Sequence, residues 1–329
     1  MSKKREGLRK LLLLVAVLLL ALSCLIVGLW LVKPDIFAEE PAPTEQSASK
    51  TIVRDGVEYF PRQDITVMLV MGIDQFGPAQ DSGSYRNTGS ADMLALLIFD
   101  EKTEELNILY LNRDTMLHMP VLGLGGKQAG TAYAQLALAH TYGSGLEDSC
   151  ENVKNTLTQF IHGLRIDYYV AMSMDAIPVL NDAVGGVTVT VKDDFSKVNP
   201  TITMGELTLR GDQVIDYVRT RKDVGDQKNV TRMQRQQEYV NAFLQKLYEN
   251  EQADPQFLIR TYEEVSPYIV TDCSATTLSN MLDHYADYTI NAAVTPEGEN
   301  RIVDGYYQFH TDPEELDALI LELFYRPKK

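Results

Sequence analysis

Cysteine is nearly missing from this 329-residue chain: there are three, and one of them, Cys24, lies in an N-terminal hydrophobic run. Cys150 and Cys273 remain, far too few for the bridge framework of a small secreted fold, and at most one disulfide can form from them. No Cys-x-x-Cys or His-x-x-x-His pair exists, and His118, His140, His162, His284 and His310 are scattered, so no zinc-type spacing is present. Positive charge is scarce as well. Against 46 Asp plus Glu stand 30 Lys plus Arg, a net charge of −16. That balance excludes general nucleic-acid binding, which needs a broad basic surface, and no basic recognition helix argues for transcriptional regulation. Two familiar nucleotide and hydrolase signals are also absent. The glycine-rich GLGG at 123–126 lacks the Gly-Lys-Ser/Thr ending of a P-loop and reads as a flexible loop, and no Gly-x-Ser-x-Gly elbow occurs.

One long apolar run is present. Residues 11–32, LLLLVAVLLLALSCLIVGLWLV, hold no charge over 22 positions, enough as a helix to cross a hydrocarbon core of about 30 Å. Lys3, Lys4, Arg5, Arg9 and Lys10 precede it. The pattern predicts a cytoplasmic basic tail over 1–10, a transmembrane helix over 11–32 and an extracellular C-terminal part, single-pass in the cell membrane. A cleaved signal peptide usually has an apolar region of only about 7 to 15 residues, and no small-x-small site closes this run. Ala-Leu-Ser before Cys24 is a poor lipid-attachment match, so that thiol reads as membrane-buried. Residues 33–63, with Pro34, Pro41 and Pro43, read as an extracellular linker. Beyond it, 64–329 reads as one domain.

Within that domain, ITVMLVMGID, DMLALLIFD and LNILYLNRD read as three strands, the last two joined by the charged turn DEKTEE, which favours an antiparallel connection. A meander of the three places Asp74, Asp92, Arg113 and Asp114 at one end of a sheet. Two readings of the carboxylates stand: ordinary strand-end residues, or a seat for a divalent cation completed by phosphate oxygens and water. Further along, TAYAQLALAHTYG and EDSCENVKNTLTQFIHG read as helices, IDYYVAMSM as a strand, DAIPVLNDAVGG as a helix stopped by Gly185 and Gly186, and VTVTV as a strand. FLIRTYEEVSPYI, ATTLSNMLDHYADY and DPEELDALILELFY read as later helices, with a strand-like IVDGYYQFH. The fold class is α/β, a central sheet flanked by helices.

The acidic background makes Tyr217–Gln237, YVRTRKDVGDQKNVTRMQRQQ, stand out, since it holds six cationic side chains. In an extended segment or irregular turn Arg219 and Arg221 point the same way, while Arg232, Arg235 and Gln236 follow at helical spacing. Planar guanidinium forks pair with phosphate oxygens, so the stretch reads as a diphosphate seat; a solvated basic helix start is the alternative.

MGID, GSADMLAL, LNRDTM, IDYYV, NDAVGGVTVTV, GDQVIDYVRTRK and TRMQRQQ, in this order behind a hydrophobic N-terminal run, resemble the successive motifs of the LytR-CpsA-Psr family. The resemblance implies an α/β fold with a central mixed sheet flanked by helices on both faces, a polyprenyl tail in an apolar tunnel that Ala132, Leu136 and Ala139 would line if they do not serve the core, and a pyrophosphate in an arginine-lined mouth. It implies transfer of a phosphorylated glycopolymer, teichoic acid or capsule, from polyprenyl pyrophosphate to peptidoglycan, with non-catalytic binding of the same material as the alternative. It makes Asp74 and Asp92 the Mg²⁺ (or Mn²⁺) carboxylates, and Arg113, Arg219 and Arg221 pyrophosphate ligands, with Arg113, Asp92 and Arg221 catalytic. Arg232, Arg235 and Gln236 match its closing motif. Ser90 and Met93, flanking Asp92, depart from the usual Arg and Thr; Asn112 replaces a usual Pro, and Gln135 falls near a common Lys. The proton acceptor stays open between Asp92 and Asp114.

Overall fold

The computed structural model describes residues 51–328 apart from 55, 221, 226–228, 255 and 286–287; the side chains of Arg232 and Gln236 also lie outside the described set. The transmembrane expectation for 11–32 therefore falls outside the described residues, and no described helix is long and apolar enough to cross a membrane.

In chain order the elements begin with β1 (Ile52–Arg54), β2 (Val57–Pro61), β3 (Ile65–Ile73), β4 (Ala91–Asp100), β5 (Glu105–Leu111), β6 (Met116–Gly123) and β7 (Lys127–Gln135). A 3-10 segment, Leu136–Tyr142, leads to α1 (Glu147–Phe160), β8 (Tyr168–Ser173), α2 (Ala176–Ala183), β9 (Val187–Val191), β10 (Gly205–Leu209), α3 (Gln213–Arg219) and α4 (Asn229–Ala253). The chain continues through α5 (Phe257–Val265), β11 (Ile269–Thr271), α6 (Ala275–Tyr285), β12 (Thr289–Val294), β13 (Gly298–Val303), β14 (Tyr306–Thr311), α7 (Pro313–Phe324) and β15 (Tyr325–Pro327).

The central sheet has six strands in the order β11-β8-β3-β4-β5-β12. β3, β4 and β5 form the expected antiparallel meander, and parallel pairings of β8 to β3 and of β12 to β5 make the sheet mixed. Every residue of β4 is buried, because both faces of the sheet are covered. Alternation divides its side chains between two cores. Met93, Ala95, Leu97 and Phe99 pack with Ile177 of α2, Val214 of α3 and Phe243 of α4. Leu94, Leu96 and Ile98 pack with Val153 and Leu157 of α1 and Leu316 and Ile320 of α7. Helices thus lie on both faces. The start of α7 was written in its sequence: Asp312 accepts hydrogen bonds from the Glu314 and Glu315 amides, and Pro313 occupies the first turn.

Several readings change. Residues 52–54 and 57–61, read as part of the extracellular linker, are folded as β1 and β2 and form a small sheet with β15, because backbone pairing to that distant strand supplies the order that their sequence pattern does not announce. TAYAQ is the second strand of the β6–β7 hairpin, not a helix, and only LALAHTY winds, as a 3-10 segment. Cross-strand pairing with Met116–Gly123 overrides the helix preference of its alanines. GLGG forms the tip of that hairpin, where Gly125 has φ +73°. Arg219 closes α3 rather than lying in an extended segment; Thr220, at φ −72° and ψ 132°, is where the chain straightens. Cys150 and Cys273 are both buried free thiols, so the one conceivable disulfide is not formed.

Candidate phosphate-transfer site

Antiparallel register brings the end of β3, the start of β4 and the end of β5 to one edge of the sheet. The Asp74 amide donates to the Ser90 carbonyl at 2.9 Å, which fastens the loop after β3 to the approach of β4. Asp92, 6% exposed, accepts from the Ser90 hydroxyl at 2.8 Å through Oδ1 and from Arg113 Nη1 at 2.5 Å through Oδ2. Burial pushes its carboxyl above the usual range against the pull of Arg113 and Ser90, and the negative charge of Asp74 adds to the rise.

Two flanks extend from this pair. On the β3 side, Arg219 Nη2 lies 3.6 Å from Asp74 Oδ1, and its guanidinium sits 5.8 Å from the centre of the half-exposed Phe76 ring. On the β5 side, Arg113 Nε is 3.6 Å from Asp114 Oδ1, which also accepts from Gln135 Nε2 at 2.8 Å. Burial raises the Asp114 carboxyl too, with Arg113 opposing. Gln135 Nε2 reaches the Tyr307 carbonyl at 2.6 Å, and the Phe309 amide donates to the Asp114 carbonyl at 2.8 Å, so the β13–β14 hairpin closes this flank.

Asp74, Asp92, Arg113 and Arg219 are therefore brought together. Arg235 is not with them. It is 6% exposed, binds Asp193 Oδ2 at 2.6 Å through Nη1, donates from Nε to the Tyr217 carbonyl at 3.2 Å and from Nη2 to the Thr220 carbonyl, and lies against the Phe195 ring. Its partners hold the end of α3 in place, so it shapes the arginine stretch from inside. Arg221 and the side chains of Arg232 and Gln236 lie outside the described residues.

Sequence reasoning passed over the support beneath Asp92. Asn87 Nδ2 donates to the His140 and Gly143 carbonyls, its Oδ1 accepts from the Gly89 amide, and buried His140 meets the Gly89 carbonyl at 2.6 Å through Nδ1. Burial lowers the His140 pKa to about 4, so it stays neutral. Its placement inside an apolar stretch was the only signal available.

Among the described residues no three His, Cys, Asp or Glu side chains form a metal cluster. Asp74 and Asp92 are two carboxylates whose charges oppose each other at the mouth. Such a donor set fits a hard cation that takes most of its shell from phosphate and water.

The LytR_cpsA_psr family model matches residues 38–324. A relative from Oceanobacillus iheyensis, the polyisoprenyl-teichoic acid–peptidoglycan teichoic acid transferase TagU, is 24% identical over 81% of this chain and 77% of its own. TagU of Bacillus subtilis is 24% identical over 87% of this chain and 86% of its own. Among solved structures, Bacillus subtilis TagV shares the fold with a TM-score of 0.55 at 22% identity, over 80% of this chain and 96% of that one.

Proposed function

Because this chain belongs to the LytR_cpsA_psr family, we propose that it is a phosphotransferase that moves a glycopolymer phosphate, of teichoic acid or capsule type, from a polyprenyl pyrophosphate carrier to peptidoglycan. The observation that carries the reading is the Arg113–Asp92 pair at 2.5 Å, buried at the sheet end between a cationic flank and a hydrogen-bonding flank. We further assign residues 1–10 to the cytoplasm, 11–32 to a membrane helix, 33–51 to a tether and the remainder, from β1 onward, to the extracellular catalytic domain, since β1 and β2 already form one sheet with β15. Five basic residues ahead of 22 uncharged ones support this orientation. A C-terminal tag protected from protease in intact spheroplasts would refute it.

Phosphoryl transfer between oxygens asks the protein for positioning and charge neutralisation. Arg219 and, two residues on, Arg221 receive the diphosphate, and Arg113, oriented by Asp92, faces the phosphorus that carries the polymer. The acceptor hydroxyl forms the new O–P bond as the bridging O–P bond breaks, and polyprenyl phosphate leaves. The proton of the acceptor hydroxyl goes to Asp114, whose Oδ1 is occupied by Gln135 and Arg113 while Oδ2 accepts no bond among the described residues. Asp92 is less suited, since it is paired with Arg113 and the same carboxylate would be drawn on by the metal. Asp74 and Asp92 would hold Mg²⁺ or Mn²⁺, which supplies Lewis-acid neutralisation of the phosphate oxygens when bound.

The test is transfer of radiolabelled polymer from a polyprenyl pyrophosphate donor to glycan strands by the full-length protein in nanodiscs. Transfer that is lost in Arg113→Ala supports the reading. Retention of donor lipid without any transfer by the wild type makes the protein a binding module instead.

A further inference from the structure

The two flanks of the Asp92–Arg113 pair differ in chemistry. β3 and β5 lie on either side of β4, so Arg219 with Asp74 and Gln135 with Asp114 stand about 10 Å apart across the sheet end. The β3 flank ends in a guanidinium and suits a diphosphate. The β5 flank ends in an amide and a carboxylate, and it continues into an exposed face of the β6–β7 hairpin. Leu117, Ala132 and Ala134 of that hairpin pack on the core, so the alternate positions His118, Tyr133 and Gln135 share the opposite face. His118 pairs with Tyr133 across the strands, their rings 4.8 Å apart, and Tyr133 is 54% exposed. Tyr133 and Gln135 are two positions apart, about 7 Å along a strand, roughly one sugar ring.

We propose that this His118–Tyr133–Gln135 face binds the acceptor saccharide, placing its hydroxyl at Asp114. An exposed, nearly rigid aromatic ring offers an apolar surface to the C–H face of a pyranose, and an amide beside it satisfies a hydroxyl. Gln135 Nε2 is fully used on Asp114 and the Tyr307 carbonyl, while Oε1 accepts no bond among the described residues and is available to a sugar O–H. An in-line displacement needs the nucleophile to arrive opposite the leaving group. With the diphosphate on the Arg219 flank, the acceptor belongs on this one. None of the three described side chains on this face carries the fixed positive charge of a Lys or Arg, which also matches an occupant recognised through its sugars rather than its phosphates.

The assignment rests on the proposed transfer reaction, and the experiment separates the two. Full-length protein in nanodiscs is given a peptide-free peptidoglycan oligosaccharide, and binding is measured by calorimetry without donor, alongside transfer kinetics with it. Tyr133→Ala is expected to weaken oligosaccharide binding and raise the acceptor KM about tenfold or more, leaving the donor KM within twofold, and Tyr133→Phe to restore most of the loss. Unchanged acceptor affinity in Tyr133→Ala, a rise in the donor KM instead, or no oligosaccharide binding by the wild type overturns the assignment. Absence of transfer by a wild type that binds the oligosaccharide overturns the reaction, and the binding comparison still decides the site.

Discussion

Arg235→Lys distinguishes a side chain that builds the arginine stretch from one that binds substrate. The guanidinium makes three bonds from one buried position: to Asp193, to the Tyr217 carbonyl and to the Thr220 carbonyl. A lysine ammonium keeps the charge and can keep Asp193, but a point donor cannot span the two carbonyls. A buried acceptor left unpaired costs about 1 to 3 kcal/mol, so the substitution should remove about 3 kcal/mol from the stability of the folded domain. For a domain of this size each kcal/mol moves Tm by about 2 to 4 °C, and a drop of roughly 6 to 12 °C is expected. Circular dichroism melts of the purified full-length chain in detergent measure it. A double-mutant cycle with Asp193→Asn should show a coupling of about 1 to 3 kcal/mol, as contacting residues do. A surface phosphate ligand behaves otherwise: the melt stays within about 1 °C of wild type while lipid pyrophosphate affinity falls. That second pattern would refute the structural role.

Asp114→Asn probes the proton acceptor. Its raised carboxyl stabilises the fold most below about pH 3.8, and the contribution is lost as pH rises through the higher folded value; at pH 7 the variant should melt no lower than wild type, yet transfer should fall by about 100-fold or more. Equal transfer rates would remove Asp114 from the mechanism. His140 predicts an acid-sensitive fold: its pKa of about 4 when folded, against 6.5, gives a contribution complete above pH 6.5 and lost as pH falls toward 4. About 3 kcal/mol should disappear over that window, and urea titrations of His140→Gln should show a flatter slope. Asp74→Asn and Asp92→Asn should each weaken Mg²⁺ binding in the presence of a prenyl pyrophosphate, by at least the tenfold or so that loss of an outer-shell partner alone costs. Calorimetry that finds unchanged affinity in both would remove the metal site.

The meander was legible because β3, β4 and β5 are long apolar runs with a four-residue charged turn, Glu101–Glu104, between the last two. Once antiparallel pairing was inferred, the convergence of Asp74, Asp92 and Arg113 followed from the chain direction alone. Arg235 was not legible, because its partner Asp193 lies 42 residues away and no local pattern announces an inward-facing arginine. The strand Lys127–Gln135 was hidden for a similar reason: its alanines favour helix, and only the cross-strand partners Met116–Gly123 decide otherwise. Those two misreadings bear directly on the site, one moving a supposed ligand into the core and the other exposing the face that carries Tyr133.

The edges of the central sheet come late in the chain. β11 and β12, residues 269–294, flank strands formed from residues 65–173, and β15 pairs back onto β2 across more than two hundred residues. Synthesis from the N-terminus delivers β3, β4 and β5 long before the strands that cover their borders. Until residue 294 emerges, β5 presents an unpaired apolar border to any neighbouring chain. Stop codons between residues 173 and 269 should therefore yield aggregates rather than partly active domains, and holding chaperones should matter most during that interval.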